Sequence, residues 1–137
     1  MDLALNHQPR LPQRRDFRIG CLGAGFIMAD CHLVAYRQAG FNPVAIASRN
    51  RERACAVATR HEIARVHDDY AALLADPQIE ILDIAVPPDA QPALIYAACQ
   101  HAGHIRGILA QKPLALTLSE ARECVAACAK AGITLAV

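Results

Sequence analysis

Phe17-Arg18-Ile19-Gly20-Cys21-Leu22-Gly23-Ala24-Gly25-Phe26-Ile27-Met28 is the stretch whose reading decides the fold. The apolar run Ile19 to Leu22 reads as a buried strand. Gly23-Ala24-Gly25 reads as a tight turn, and Phe26 begins a helix. Strand, glycine turn and helix start together form a device for binding phosphate. Gly23 permits the turn, and Gly25 removes a Cβ where a pyrophosphate must approach the backbone. The unpaired N–H groups of the first helical turn face the anion, and the helix dipole favours negative charge there. Met28 stands where the G-x-G-x-x-G pattern has its third glycine. That glycine serves helix–strand packing and does not touch phosphate, so the departure weakens the pattern more than the chemistry.

A two-glycine turn gains meaning only from a strand before it, a helix after it and repetition downstream. The chain provides all three. Its 137 residues suffice for one domain with a real core. Residues 17–137 read as that domain and residues 1–16 as a flexible leader, whose Pro9, Pro12, Arg10, Arg14 and Arg15 are expected to stay solvated. The composition is 54% hydrophobic and 4% aromatic, an aliphatic interior suited to helices packed on a parallel sheet. A net charge of +1 gives no electrostatic case for nucleic acid or an anionic membrane. No apolar run reaches transmembrane length, and no secretory signal pattern opens the chain. The six cysteines fall in apolar periodic segments without a C-x-x-C pair. They read as small buried hydrophobes in a reducing compartment, so a cytoplasmic location is expected.

In chain order, the first helix is expected over Phe26 to Gln38, stopped by Gly40; His32 inside it could face the cofactor, though a helix-surface histidine is the more common case. Pro43 to Ala47 is the second strand. Asn50 caps a helix from Arg51 to His61. Arg65 to His67 is a short edge strand, and Asp68 caps a short helix from Tyr70 to Ala75. Ile81 to Val86 is a fourth strand whose near-continuous apolar character marks burial on both faces. Asp89 caps a helix from Ala90 to His101. Ile105 to Ala110 is a fifth strand. Thr117 and Glu120 form a capping box for a helix to Lys130, stopped by Gly132. Ile133 to Val137 begins a sixth strand. Strands alternating with helices give a Rossmann-type α/β fold, a doubly wound, mostly parallel sheet in three layers that is truncated in the sixth strand.

Ligands of such sheets bind beyond the carboxyl ends of the strands. Those ends carry Gly23 to Ile27, Ser48-Arg49, Pro87-Pro88 and Gln111-Lys112-Pro113. An NAD-specific site places Asp or Glu at the end of the second strand, where it accepts from the ribose hydroxyls. Here Ser48 does not repel a 2′-phosphate, and Arg49 can pair with one. That favours NADP or dual use over NAD alone. The other reading of Arg49 is a solvated residue near a helix start.

In their order and spacing these motifs resemble the N-terminal domain of the Gfo/Idh/MocA oxidoreductases. The likeness covers Phe17 to Val137. It rests on the turn at Gly23 to Ile27, a loose A-x-S-R at Ala45, Ser48 and Arg49, Asp76-Pro77, Val86-Pro87-Pro88, and Gln111-Lys112-Pro113-Leu114-Ala115, similar to the family's E-K-P-L-A. The resemblance implies NAD or NADP binding and oxidation or reduction of hydroxyl groups on sugars, cyclitols or related polyols. It implies that Gly23, Gly25, Phe26 and Ile27 hold the pyrophosphate. Ser48 and Arg49 would lie by the adenosine ribose, and Pro87 and Pro88 would line the cofactor trough. Gln111, Lys112 and Pro113 would flank the nicotinamide, with Lys112 as the catalytic lysine, expected to be a buried ammonium of lowered pKa. Gln111 replaces the family's usual Glu, and Gln91 stands where many members have His. The family's substrate domain lies beyond the matched stretch, so turnover by this chain alone is not expected.

A second reading is a non-catalytic nucleotide-binding or interaction module built on the same fold. An S-adenosylmethionine methyltransferase is disfavoured because that chemistry does not need Lys112-Pro113. Metal sets at Cys99, His101 and His104, or at Cys124 and Cys128, lack a full complement of ligands, and no metal is expected. The open sixth strand is expected to promote a homo-oligomer.

Overall fold

The computed structural model describes residues 10–137. The leader reading for residues 1–9 lies outside the described residues. Strands β1 (Arg18–Leu22), β2 (Asn42–Ala47), β3 (Arg65–Val66), β4 (Ile81–Ile84), β5 (Gly107–Ala110) and β6 (Thr134–Ala136) form one sheet. Its order is β3-β2-β1-β4-β5-β6, and every adjacent pair is parallel. The helices are α1 (Leu33–Ala39), α2 (Arg51–Arg60), α3 (Tyr70–Leu74), α4 (Gln91–Cys99) and α5 (Leu118–Ala131).

The strands' alternating side chains feed two apolar layers. On one face, Leu82 and Ile84 of β4 and Ile108 and Ala110 of β5 pack with Leu73 of α3, Ile95 and Ala98 of α4, and Cys124 and Cys128 of α5. On the other, Ile19 and Cys21 of β1 and Ile46 of β2 pack with Met28, Ala29 and Leu33, and with Ala54, Val57 and Ala58 of α2. Each fully buried Leu or Ile contributes about 1.5–3 kcal/mol, and the two layers clamp the sheet whose strand ends carry the site. Among the described residues, no helix is long and apolar enough to cross a membrane.

Local sequence explains most of the element ends. Asn50 Oδ1 accepts from the Arg53 N–H at 2.9 Å, and Thr117 Oγ1 accepts from the Glu120 N–H at 3.2 Å. Gly40 and Gly132 take left-handed dihedrals at the ends of α1 and α5. Some expectations are corrected. Asp69, not Asp68, caps α3, accepting from the Ala72 N–H at 2.7 Å, while Asp68 pairs with Arg51. Asp89 caps nothing: Ala90 already has right-handed helical dihedrals and precedes α4 without a side-chain cap. The first helix is not uniform, because Ile27–His32 is π-helical before α1 begins. Leu33 donates its N–H to the Met28 carbonyl, an i→i+5 bond that widens the turn. Met28, in place of a third glycine, is fully buried beneath this wide turn.

The arginines before β1 are not all free in solvent. Arg14 reaches Glu80 at 2.9 Å and lies 4.0 Å from the centre of the Phe17 ring. Arg15 donates to the Ala39 carbonyl at 3.1 Å. All six cysteines are free thiols; Cys21, Cys124 and Cys128 are buried, whereas Cys31, on the outer side of the π-helical turn, is exposed.

Candidate functional site

The sheet order reverses between β1 and β4. The chain runs outward from β1 through β2 to β3, then returns to lay β4 on the other side of β1. Loops leaving β1 and β4 therefore diverge and open a crevice at their carboxyl ends. A cleft of about 230 Å³ lies there, lined by Gly23, Gly25, Ser48, Arg49, Arg53 and Pro87, among others.

Gly23 closes the floor of this cleft. Its φ is +105°, and a Cβ built there would sit 2.4 Å from the Ala85 carbonyl oxygen. Only glycine fits both the dihedral and the space. Its N–H donates to the Ala47 carbonyl at 2.9 Å, tying the turn to β2. At Gly25 the reverse holds, since a Cβ would meet nothing within 4 Å. The missing side chain leaves open space above the turn. The helical ladder begins with the Ala29 N–H donating to the Gly25 carbonyl at 2.9 Å, which leaves the amides from Gly25 to Met28 without helical acceptors. Glycine turn, open space and free amides together fit a bound phosphate.

Ser48 and Arg49 stand at the end of β2. Arg53, one turn into α2, joins them on the lining. Among the described residues neither arginine makes an ion pair, in contrast to Arg51, which pairs with Asp68 at 2.7 Å. Sequence reading passed over Arg53 and Tyr70, which also borders the cleft. Arg53 was legible in retrospect, lying four positions after Arg49 on a helix that starts at the strand end.

The remaining expected residues do not line this cleft. Phe26 and Ile27 are exposed on the first turn after it, and Pro88 lies one residue past its rim. Gln111, Lys112 and Pro113 leave β5, the next strand over. Lys112 is exposed on this loop.

The loop around Lys112 is held by two glutamines. Gln91 is fully buried. Its Nε2 donates to the carbonyls of Gln111 at 2.6 Å and Leu114 at 3.0 Å, with Pro113 at 3.2 Å, while its Oε1 accepts from the Gln111 N–H at 3.1 Å. One side chain thus satisfies the backbone on both sides of Lys112. Gln111 in turn accepts from the Lys112 N–H at 2.9 Å.

Behind Gln111 lies a polar cluster inside the apolar layer. Asp83, fully buried on β4, accepts from His32 Nδ1 at 2.8 Å and from the Tyr36 hydroxyl at 2.6 Å. His32, the last residue of the π-helical turn, is therefore turned inward rather than lying on the helix surface, with its Nε2 3.1 Å from Gln111 Nε2. The Asp83 hydrogen bond holds the His32 pKa above its ordinary 6.5. Burial, with Asp83 adding to it, pushes the Tyr36 phenol far above its usual range, so it remains a donor. The signal in the sequence was Asp83 itself, a carboxylate within an otherwise apolar strand. Of the cysteine and histidine sets weighed for metal, Cys99 instead meets Cys128 at 4.0 Å and the His101 ring lies against His104.

Residues 17–137 match the family described as "Oxidoreductase family, NAD-binding Rossmann fold", Gfo/Idh/MocA. The D-apiose dehydrogenase of Paraburkholderia graminis is 38% identical over 124 residues, covering 88% of this chain and 32% of that protein. An oxidoreductase from Agrobacterium radiobacter, solved in complex with NAD+, L-tartaric acid and magnesium, superposes with a TM-score of 0.80 at 30% identity, over 88% of this chain and 34% of its own. A 3-ketoreductase from Actinomadura kijaniata, solved with TDP-benzene and NADP, gives a TM-score of 0.79 at 25% identity, over 88% of this chain and 37% of its own. The chain spans about a third of the length of the curated relatives it matches.

Proposed function

This chain belongs to the Gfo/Idh/MocA oxidoreductase family, NAD-binding Rossmann fold, and from that premise we propose that it is the cofactor-binding part of an NADP- or NAD-dependent enzyme acting on CH–OH groups of sugars, cyclitols or related polyols. The observation that carries the reading is the cleft at the sheet's reversal point, where the Gly23–Gly25 turn leaves open backbone beside Arg49 and Arg53, neither of which makes an ion pair among the described residues.

In this reading the amides of Gly25, Phe26 and Ile27 hold the pyrophosphate, and Gly23 keeps the turn low enough for it to enter. Ser48 lies by the adenosine ribose. Arg49 and Arg53 favour a 2′-phosphate over two free hydroxyls, each charge-assisted bond contributing about 1.5–3 kcal/mol. Pro87 forms the opposite wall of the cleft, and Pro88 follows it along the cofactor trough. Gln111 and Pro113 frame Lys112, which is the catalytic residue of the proposal. The bound dinucleotide would supply hydride acceptance and donation. The protein's own part is proton handling, with the Lys112 ammonium polarising a substrate oxygen or relaying its proton. Substrate contacts beyond Lys112 belong to sequence that these residues do not include. Free thiols and the soluble-enzyme character of the proposed chemistry suit a cytoplasmic location.

The test is calorimetric titration with NADPH and with NADH at fixed salt. Saturable binding that disappears in Gly25→Val, whose side chain fills the open space, supports the reading. Arg49→Ala is expected to weaken NADPH by roughly tenfold or more and to leave NADH nearly unchanged. A folded sample that binds neither dinucleotide would favour the non-catalytic module.

A further inference from the structure

The polarity of the hydrogen bonds running from Lys112 to Asp83 is fixed at one end. The Lys112 backbone N–H can only donate, so the Gln111 atom it meets at 2.9 Å is the oxygen, Oε1. The other amide atom, Nε2, is then a donor, and it faces His32 Nε2 at 3.1 Å. A ring nitrogen that accepts an N–H carries no proton of its own. His32 is therefore the neutral tautomer protonated at Nδ1, which donates to Asp83 at 2.8 Å. The line reads Asp83, His32, Gln111, Lys112, with each group oriented by the next.

We propose that His32 is a positioning residue for Lys112, and that a proton arriving at its Nε2 releases the Lys112 amide by turning the Gln111 side chain. An imidazolium presents N–H at both nitrogens. Its Nε2–H opposes the Gln111 N–H, so the amide turns to offer Oε1 to the ring. Lys112 then faces an amide N–H in place of a carbonyl oxygen and loses its acceptor. The Gln91 clamp still holds the carbonyls of Gln111, Pro113 and Leu114, so the change is confined to the Lys112 end of the loop. The importance of the change rests on Lys112 serving the reaction as proposed above; the change itself does not.

The titratable groups around the ring are few. Asp83 comes from β4 and Tyr36 from α1; beyond them Cys21 of β1 neighbours Asp83 and Tyr36, its thiol kept neutral by burial. Among the described residues, no arginine or lysine bonds to the ring. Two influences oppose each other on it. Asp83 favours imidazolium and raises the pKa, whereas the Gln111 donor at Nε2 favours the neutral ring. A glutamine at position 111 is what makes the link reversible. A carboxylate there only accepts, and would serve imidazolium and the Lys112 N–H together.

The experiment is nitrogen-15 NMR of the unliganded chain between about pH 5 and 8, following the His32 ring nitrogens and the Lys112 backbone amide. The ring is expected to show the Nδ1–H tautomer at the alkaline end, and the Lys112 amide to shift with the same midpoint as the ring. In Gln111→Glu the ring midpoint is expected to rise by on the order of one unit, and the Lys112 amide to stop following it. An Nε2–H tautomer, or a Lys112 amide that stays still while the ring titrates, overturns the proposal; both are read on the unmutated chain, so a misfolded variant cannot shield it. A coupled titration in a chain that binds no dinucleotide upholds the switch and removes the cofactor reading. Dinucleotide binding with an uncoupled titration does the opposite.

Discussion

The two arms of the proposed site are made of different material. The arm after β1 is backbone: a glycine at φ +105°, an unfilled Cβ position at Gly25 and the free amides of a helical start. The arm after β5 is side chain: Gln91 grips three carbonyls, and Gln111 hangs between Lys112 and a buried His32–Asp83 pair. Backbone N–H groups do not titrate near neutrality, so the first arm presents the same donors at any physiological pH. The second arm depends on which atoms carry protons. Sterics alone break one arm; a single proton resets the other.

The largest expected effect falls on the backbone arm. Gly23→Ala drives a Cβ to 2.4 Å from the Ala85 carbonyl oxygen, a backbone atom, and forces a positive φ on a non-glycine residue. A loss of about 4 kcal/mol in urea unfolding, or failure to fold, is expected. A variant as stable as the parent would show that the turn has more freedom than the geometry allows. Next comes the side-chain arm. Asp83→Ala leaves the Tyr36 hydroxyl and His32 Nδ1 without their acceptor in a buried layer. That costs about 3 kcal/mol, the scale for breaking a buried hydrogen-bonded charge. An unchanged melting midpoint would mean that the cluster does not bear on the core.

The smallest effect is one of pH and has a definite sign. The His32 pKa is raised in the folded protein by Asp83. Its contribution to stability is therefore fully present below the unfolded value near 6.5 and is lost as pH rises through the raised folded value. Comparing the parent with His32→Asn in urea should show a stability gap that is wider at the acid end. A gap that widens toward alkali would contradict the pairing. Acidification thus strengthens the Asp83 end of the line while it loosens the Lys112 end.

The contrast between the arms also explains what could be read from sequence. The backbone arm is local. Strand, glycine turn and helix start occupy twelve consecutive residues, so composition and order sufficed to place them. Parallel topology followed from the alternation of apolar strands with capped helices, because βα units leave few other solutions. Ser48, Arg49 and Pro87 were found because they end strands. Gln91 and His32 were placed only by the fold. His32 and Gln111 are separated by 79 positions and His32 and Asp83 by 51, and nothing in the local pattern of either histidine or glutamine marks a partner at that distance. His32 lies inside the expected first helix, where a surface position is the commoner case for a histidine, and nothing near it in sequence shows that its ring meets Asp83. Asp83 was the available clue, since a buried carboxylate needs donors and only residues brought from elsewhere could provide them.

The most direct test of the account is to add saturating NADPH to the nitrogen-15-labelled chain and map the amide shifts. If the two arms flank one dinucleotide, the amides of Gly23 to Ile27, those of Ser48 and Arg49, and that of Lys112 should all move in a single saturable transition. Shifts confined to one arm, or lying wholly outside both, would contradict it.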